Sequence, residues 1–358
     1  MKFCFLSSFA HLALDPRADR VSGGAELQVA LLARELVRLG HEAAVIGGDT
    51  GQLDGEVFEG VKTRTGGAFH TGAIVDTLRA IPRVHAVLRE ERPDFVCVLG
   101  WTTWMFLLDR MKHRLRYRSV FICGLDTEVN GEFRRQNPVR GFFFEEGIRS
   151  ADFRFAMSEY QREQFQRRGE PCGFYRNLIL PRSGPLNARK DIDLLWVARC
   201  QAIKQPHRFL DLVERVPDAV CHMVAPREDV ALWETVRDRA ARLQNLTFEE
   251  RVPYREVQDR YDRARVFVNT SEWEGFPNSF IQAGQGRAAI LSLSVNPDGL
   301  FDAFPLGRCS GNDFDRFVTD ARVVLSESSG QMALASERFV VEWHDNRRNV
   351  QCFLAGLA

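Results

Sequence analysis

An acidic side chain on a glycine turn, followed at once by a helix start, can hold a sugar hydroxyl beside a phosphate. The stretch Glu274-Gly-Phe-Pro-Asn-Ser-Phe-Ile-Gln282 has that layout. Free N–H groups and the macrodipole make a helix N-terminus attractive to anions. Pro277 has no N–H, so anion contacts would fall to Gly275, Phe276, Asn278 or Ser279. Gln282 brings a second hydrogen-bonding side chain one turn into the helix. Upstream, Trp196-Val-Ala-Arg199-Cys-Gln-Ala-Ile-Lys204 sets two cations just past an apolar strand. Two cations can close on a diphosphate.

These residues need strands behind them, and the pattern supplies strands throughout. Short apolar runs alternate with helix-period segments from end to end, which is the signature of parallel α/β domains. Strands are expected at 2–7, 43–47, 94–99, 119–123 and 152–156, with helices at 71–91, 101–110, 139–149 and 159–168. A further helix opens at the glycine loop Ser22-Gly23-Gly24 and carries Ala25, Val29, Leu32, Leu36 and Leu39 on one face before stopping at Gly40. A second series starts at Asp193, with strands near 219–224, 246–249, 265–269 and 288–293. The expected division is 1–176, a proline- and glycine-bearing linker at 177–190, 191–340, and a C-terminal helix over 341–358 that crosses back to the first domain. Two doubly wound domains facing across a cleft would bind ligands at their strand C-termini.

Composition narrows the class. The 358 residues are 45% hydrophobic and 27% charged, as in ordinary globular proteins. Lys plus Arg equals Asp plus Glu at 48 each, which argues against nucleic acid as the main partner. The eight cysteines are scattered, with no Cys-x-x-Cys and no metal spacing, so a reducing compartment such as the cytoplasm is expected. The N-terminal run is short and reads as a buried first strand rather than a signal peptide. The glycine loop lacks Gly-x-Gly-x-x-Gly, which leaves a nicotinamide dehydrogenase a distant reading.

Taken in order, several pieces resemble the family 4 retaining glycosyltransferases of the GT-B fold. They are Gly23-Gly24-Ala-Glu26, Arg92-Pro-Asp94, Val197-Ala-Arg199 with Lys204, Asn245 to Phe248 through Val252-Pro-Tyr254, Tyr261-Asp-Arg-Ala264, and Thr270-Ser-Glu-Trp-Glu274-Gly-Phe-Pro-Asn278. The resemblance implies an α/β, GT-B protein with two Rossmann-like domains. It implies a metal-independent enzyme, without a cofactor, that moves a sugar from a nucleoside diphosphate donor to a hydroxyl acceptor. Polysaccharide, glycolipid or other glycoconjugate assembly is the setting it suggests. In that family the first glutamate of Glu-x7-Glu holds the donor sugar and the second the ribose. Glu274 fits the first role, while Gln282 departs from the second and can still accept from one hydroxyl and donate to another. Arg199 and Lys204 resemble the cation pair on the diphosphate.

The first domain should supply acceptor contacts. Ser22, Gly23 and Gly24 resemble the family's glycine loop, or form a plain strand-to-helix turn. Relatives often carry a histidine after the strand Val120-Phe-Ile-Cys123; here Gly124-Leu-Asp126-Thr-Glu128 follows. Asp126 is the candidate for orienting the transferring sugar or the acceptor, and Glu128 the next; either could instead cap a turn. Trp101-Thr-Thr-Trp104-Met-Phe-Leu-Leu108, followed by Arg110, Lys112, Arg114, Arg116 and Arg118, reads as a buried helix with a charged exit. Aromatics beside a basic run can also mark an interfacial membrane helix, with Phe142 to Phe144 adding to it. Peripheral contact with the cytoplasmic membrane face therefore stays open. The rival functions on the same scaffold are a glycosyl phosphorylase, a sugar-nucleotide epimerase, or a non-catalytic nucleotide-sugar-binding subunit.

Overall fold

A computed structural model describes the chain except residues 19–22, 70–73, 183, 185, 187, 188, 328 and 329. It divides into two compact units, Met1–Leu180 with Asn346–Ala358, and Pro181–Asp345.

In the first unit, strands β1 (Lys2–Leu6), β2 (Glu42–Gly47), β3 (Val57–Phe58), β4 (Val61–Thr65), β5 (Phe95–Leu99), β6 (Arg118–Ile122), β7 (Phe153–Ala156) and β8 (Gly173–Phe174) form one sheet. Their order is β3-β4-β2-β1-β5-β6-β7-β8, parallel throughout except for the β3–β4 pair. Its helices are α1 (Ala10–Leu14), α2 (Gly24–Arg38), α3 (Ile74–Glu91), α4 (Trp104–Leu115), α5 (Glu132–Gln136), α6 (Pro138–Ser150) and α7 (Glu159–Arg167). Central strands read as unbroken apolar runs because the sheet is covered on both faces. One core packs Phe3, Phe5 and Val45 against Leu32 and Leu36 of α2. The other packs Cys4, Ile46 and Val96 against Val84, Leu108 and Ile148 of α3, α4 and α6.

Local signals set the ends of these elements. Helix α2 stops where Gly40 takes φ +84°, with Gly40 N–H on Val37 O and His41 N–H on Leu36 O, a Schellman closure. Helix α4 departs from expectation: it starts at Trp104 and runs through to Leu115, well into the basic run. Lys112 is buried there and donates to Ser150 O and Asp152 Oδ1. Arg116 then ends the helix in the left-handed region, and Arg118 opens β6 with its guanidinium over Phe95 and Phe153. The basic run is thus not one charged face. The pattern also missed β3 and β8, of two residues each, and β4, whose sequence Val-Lys-Thr-Arg-Thr holds one apolar side chain.

The second unit has strands β9 (Ile192–Val197), β10 (Cys221–Val224), β11 (Leu246–Glu249), β12 (Ala264–Asn269), β13 (Ala289–Ser292) and β14 (Gly307–Cys309). All are parallel, in the order β11-β10-β9-β12-β13-β14. Helices α8 (Pro206–Arg215), α9 (Val230–Ala240), α10 (Tyr254–Arg263), α11 (Asn278–Gln285), α12 (Leu300–Ala303), α13 (Phe314–Glu327) and α14 (Gln331–Trp343) flank it. The last helix, α15 (Asn346–Ala355), belongs to the first unit, where Phe353 packs against Phe155 and Tyr175.

In both sheets the strand order reverses between two neighbours, β1 and β5 in the first and β9 and β12 in the second. Such a switch point opens a crevice at the strand C-termini, because the connections on its two sides leave in opposite directions.

Candidate functional site

The second-unit switch point collects the residues that the sequence singled out. The loop after β9 runs through Arg199 to a short 3-10 turn, Ala202–Lys204, and Pro206 then opens α8. The loop after β12 runs from Thr270 to Pro277, and Asn278 opens α11. Backbone and side chains knit the two loops. Thr270 Oγ1 donates to Lys204 O at 2.7 Å and accepts from Trp196 Nε1 at 2.9 Å. Glu272 N–H donates to Ile203 O at 2.9 Å.

Glu274 is held on both oxygens. Its Oε1 accepts from Asn269 Nδ2 at 2.9 Å and from Ser271 Oγ at 2.6 Å. Its Oε2 lies 2.9 Å from Lys204 Nζ. Two residues seventy positions apart in sequence thus form one half-buried ion pair beside the N-terminus of α11. Asn269 and Ser271 were not singled out as site residues, although two polar residues closing an apolar strand are a visible signal.

Arg199 is placed differently. It lies on the same loop as Lys204, but its exposed guanidinium pairs with Glu228 Oε1 at 3.2 Å, which also accepts from Gln201 Nε2. No sequence signal ties Glu228 to Arg199, since α8 and β10 lie between them. Phe276 is buried against Phe339, Trp343 and His344 and so anchors the turn from below. Gly275 is buried, whereas Asn278 and Ser279 in the first turn of α11 are half-buried. Gln282 is half-buried one turn further on, its carbonyl accepting from Gln258 Nε2. Among the described residues no group of His, Cys, Asp and Glu could hold a metal ion.

In the first unit, Gly23 caps α2 and Gly24 is its first residue; Ser22 lies outside the described residues. A Cβ on Gly23 would meet Glu26 Oε2 at 2.4 Å, so the glutamate curls back over the helix start. Asp126 opens a 3-10 turn after β6, and its Oδ1 accepts from Gln161 Nε2 at 3.1 Å. Glu128, in the same turn, is only 3% exposed. Its Oε2 accepts the Gly124 N–H at 2.8 Å, while its Oε1 is buried without a hydrogen-bond partner. Burial pushes this carboxyl up to about 7 against the opposing pull of nearby backbone N–H groups.

Several known proteins share features of this chain. Residues 23–176 match the family model described as a glycosyl transferase 4-like domain. No curated protein sequence matches closely enough to count as a relative. Sucrose-phosphate synthase from Thermosynechococcus elongatus superposes with a TM-score of 0.76 at 15% identity, covering 100% of this chain and 98% of its own. Anabaena HepE, solved in complex with UDP, gives 0.72 at 14% identity and covers 100% and 99%. A glycosyltransferase from Rickettsia africae gives 0.71 at 11% identity and covers 99% and 98%. At such identities the likeness concerns the fold.

Proposed function

We propose, for a chain whose residues 23–176 match the glycosyl transferase 4-like family model and whose two units have the GT-B fold, the retaining transfer of a sugar from a nucleoside diphosphate donor to a hydroxyl acceptor. The observation that carries this reading is the Lys204–Glu274 pair at the β9/β12 switch point, against the N-terminus of α11. A carboxylate there accepts hydrogen bonds from sugar hydroxyls, and an ammonium 2.9 Å away neutralises the adjoining phosphate. Asn269 and Ser271 keep Glu274 in place when Lys204 turns to the phosphates.

Arg199 supplies the second cation once it leaves Glu228. That exposed pair is weak, on the order of 1 kcal/mol or less, so a diphosphate competes for it readily. Both cations stabilise charge that grows on the leaving diphosphate, a preorganised electrostatic contribution. In the step we propose, the bond from the anomeric carbon to the phosphate oxygen breaks while a bond from that carbon to the acceptor oxygen forms on the same face. The acceptor proton passes to the departing phosphate oxygen. Arg199 and Lys204 take the place of a divalent cation, so no metal enters this scheme. Gln282 contacts the ribose, and Asp126 together with the Gly23-Gly24 helix start serves the acceptor. Glycan or glycolipid assembly is the fitting context.

Thermal stabilisation by UDP, GDP, ADP and their sugars, without metal, tests the reading. A ligand at one hundred times its dissociation constant stabilises by about 2.7 kcal/mol. One nucleotide should raise the melting point selectively, with the shift reduced in Lys204→Met. Absence of any shift, with or without magnesium, refutes a nucleotide donor. Binding without hydrolysis or transfer would point to the binding-subunit alternative, phosphate-dependent cleavage without nucleotide to a phosphorylase, and donor conversion without acceptor to an epimerase.

A further inference from the structure

Helices α4 and α6 pack closely side by side, because Gly147 lets α6 approach the α4 backbone. A Cβ there would lie 2.7 Å from Phe106 N. The outward side of this helix pair is apolar where a surface is usually polar. Val139, Phe142 and Phe143 are 71%, 44% and 37% exposed. Their spacing of i, i+3 and i+4 puts them on one face of α6. Phe143 meets the half-buried Phe106 of α4 edge to face at 4.9 Å, which extends the apolar surface across both helices. Phe144 turns inward instead and is buried against Phe121 and Phe133.

Two arginines lie against this surface. The Arg110 guanidinium lies 3.3 Å from the Phe106 ring centroid and that of Arg134 5.0 Å from Phe142. The segments 104–115 and 132–150 hold seven Arg or Lys against four Asp or Glu. The acids are already engaged: Asp109 with Lys112, Glu145 with Arg134, Glu146 with Arg149, and Glu132 with the Gln136 amide. Arg110, Arg114, Arg135 and Arg140 are exposed and have no carboxylate partner among the described residues. Among the described residues no helix is long and apolar enough to cross a membrane.

We infer that the α4–α6 face docks the first unit onto an anionic lipid surface. Phe142, Phe143 and Val139 enter the headgroup boundary, and the four arginines meet lipid phosphates. An apolar patch on a surface that carries exposed, uncompensated arginines suits a layer that is greasy inside and negative at its rim. The charge is what selects lipid over a second copy of this chain, which would bring its own arginines against these.

Cosedimentation of the full chain with vesicles tests this, using phosphatidylcholine alone and phosphatidylcholine with phosphatidylglycerol at seven to three. The protein should pellet with the mixed vesicles and stay in the supernatant with the neutral ones. Each arginine near such a surface is worth about fivefold in partitioning, so Arg135→Ala with Arg140→Ala should lower it about twentyfold. Phe142→Ser with Phe143→Ser should lower it at least tenfold, with the melting point serving as the check on folding. Failure to pellet with mixed vesicles, equal pelleting with neutral ones, or undiminished pelleting of folded variants would each overturn the inference. Concentration-dependent self-association that these substitutions abolish, without vesicle binding, would assign the face to a second copy instead. None of these readouts requires donor or acceptor, so failure here is distinct from failure of the proposed transferase activity.

Discussion

Replacing Glu128 by glutamine should change how the stability of the first unit depends on pH, and the size of that change follows from its burial. Glu128 sits in the 3-10 turn after β6, with one oxygen on the Gly124 N–H and the other buried without a partner. Its carboxyl titrates near 7 in the fold, where the free side chain would titrate near 4.5. Because the folded value is the higher one, the group's contribution to stability is whole below about pH 4.5. It is lost as pH rises through about 7. The loss amounts to about 3 kcal/mol, at about 1.4 kcal/mol for each tenfold change in proton affinity. Glutamine keeps an acceptor for Gly124 and never ionises, so the variant should not lose that stability. Its amide N–H groups gain no obvious partner, which adds an offset of about 1–3 kcal/mol in the other direction. The offset is nearly independent of pH, so the slope is the readout. Hydrogen exchange of amides in β6, measured from pH 5 to 8 and corrected for intrinsic rates, reports the first unit alone. The difference between wild type and Glu128→Gln should move by about 2.5 kcal/mol in favour of the variant across that range. Parallel curves would show that Glu128 ionises normally and that the burial argument fails.

Four further outcomes follow from the same structure. Burial opposes ionisation of Glu91, yet Lys2, Lys62 and Arg64 outweigh it and hold the carboxyl down to about 2. Its contribution is therefore present above about pH 4.5 and lost as pH falls towards 2. Glu91→Gln should cost about 3–5 kcal/mol at neutral pH in urea unfolding and flatten the acid side of the stability profile. Lys204→Met should lower kcat by about 10²–10³-fold, as expected for a lost stabiliser of leaving-group charge, and turnover near wild type would remove it from the site. Glu228→Ala frees Arg199 and should tighten donor binding by up to about fivefold in titration calorimetry, whereas weaker binding would mean that Glu228 itself holds the donor. Gly147→Ala puts a methyl group 2.7 Å from Phe106 N and should destabilise the first unit by about 1–3 kcal/mol in thermal unfolding.

How much was legible in the sequence depended on the range of the physics involved. Strands such as β1, β5 and β12 announce themselves because a doubly covered parallel strand must be apolar along its whole length. The end of α2 at Gly40 is as local, since only a few neighbouring groups make a Schellman closure. The Glu274 turn and the two cations after β9 were visible for the same reason: a strand, a turn and a helix start are contiguous in the chain. Pairing was not visible. Strand order alone brings Lys204 to Glu274 across β9 and β12, and it is the loop after β10 that brings Glu228 to Arg199. The basic run after Trp104 reads in sequence as the charged exit of a buried helix, but helix phase and burial scatter it among a core lysine, exposed helix arginines, a helix cap and a strand residue. The same phase turned Phe142 and Phe143 outward and Phe144 inward. The sequence by itself therefore determined which groups were available and which local elements carried them. Only the tertiary structure decided which charges neutralise each other and which remain uncompensated, because Coulomb and burial energies depend on distance in space, and the chain alone does not set it.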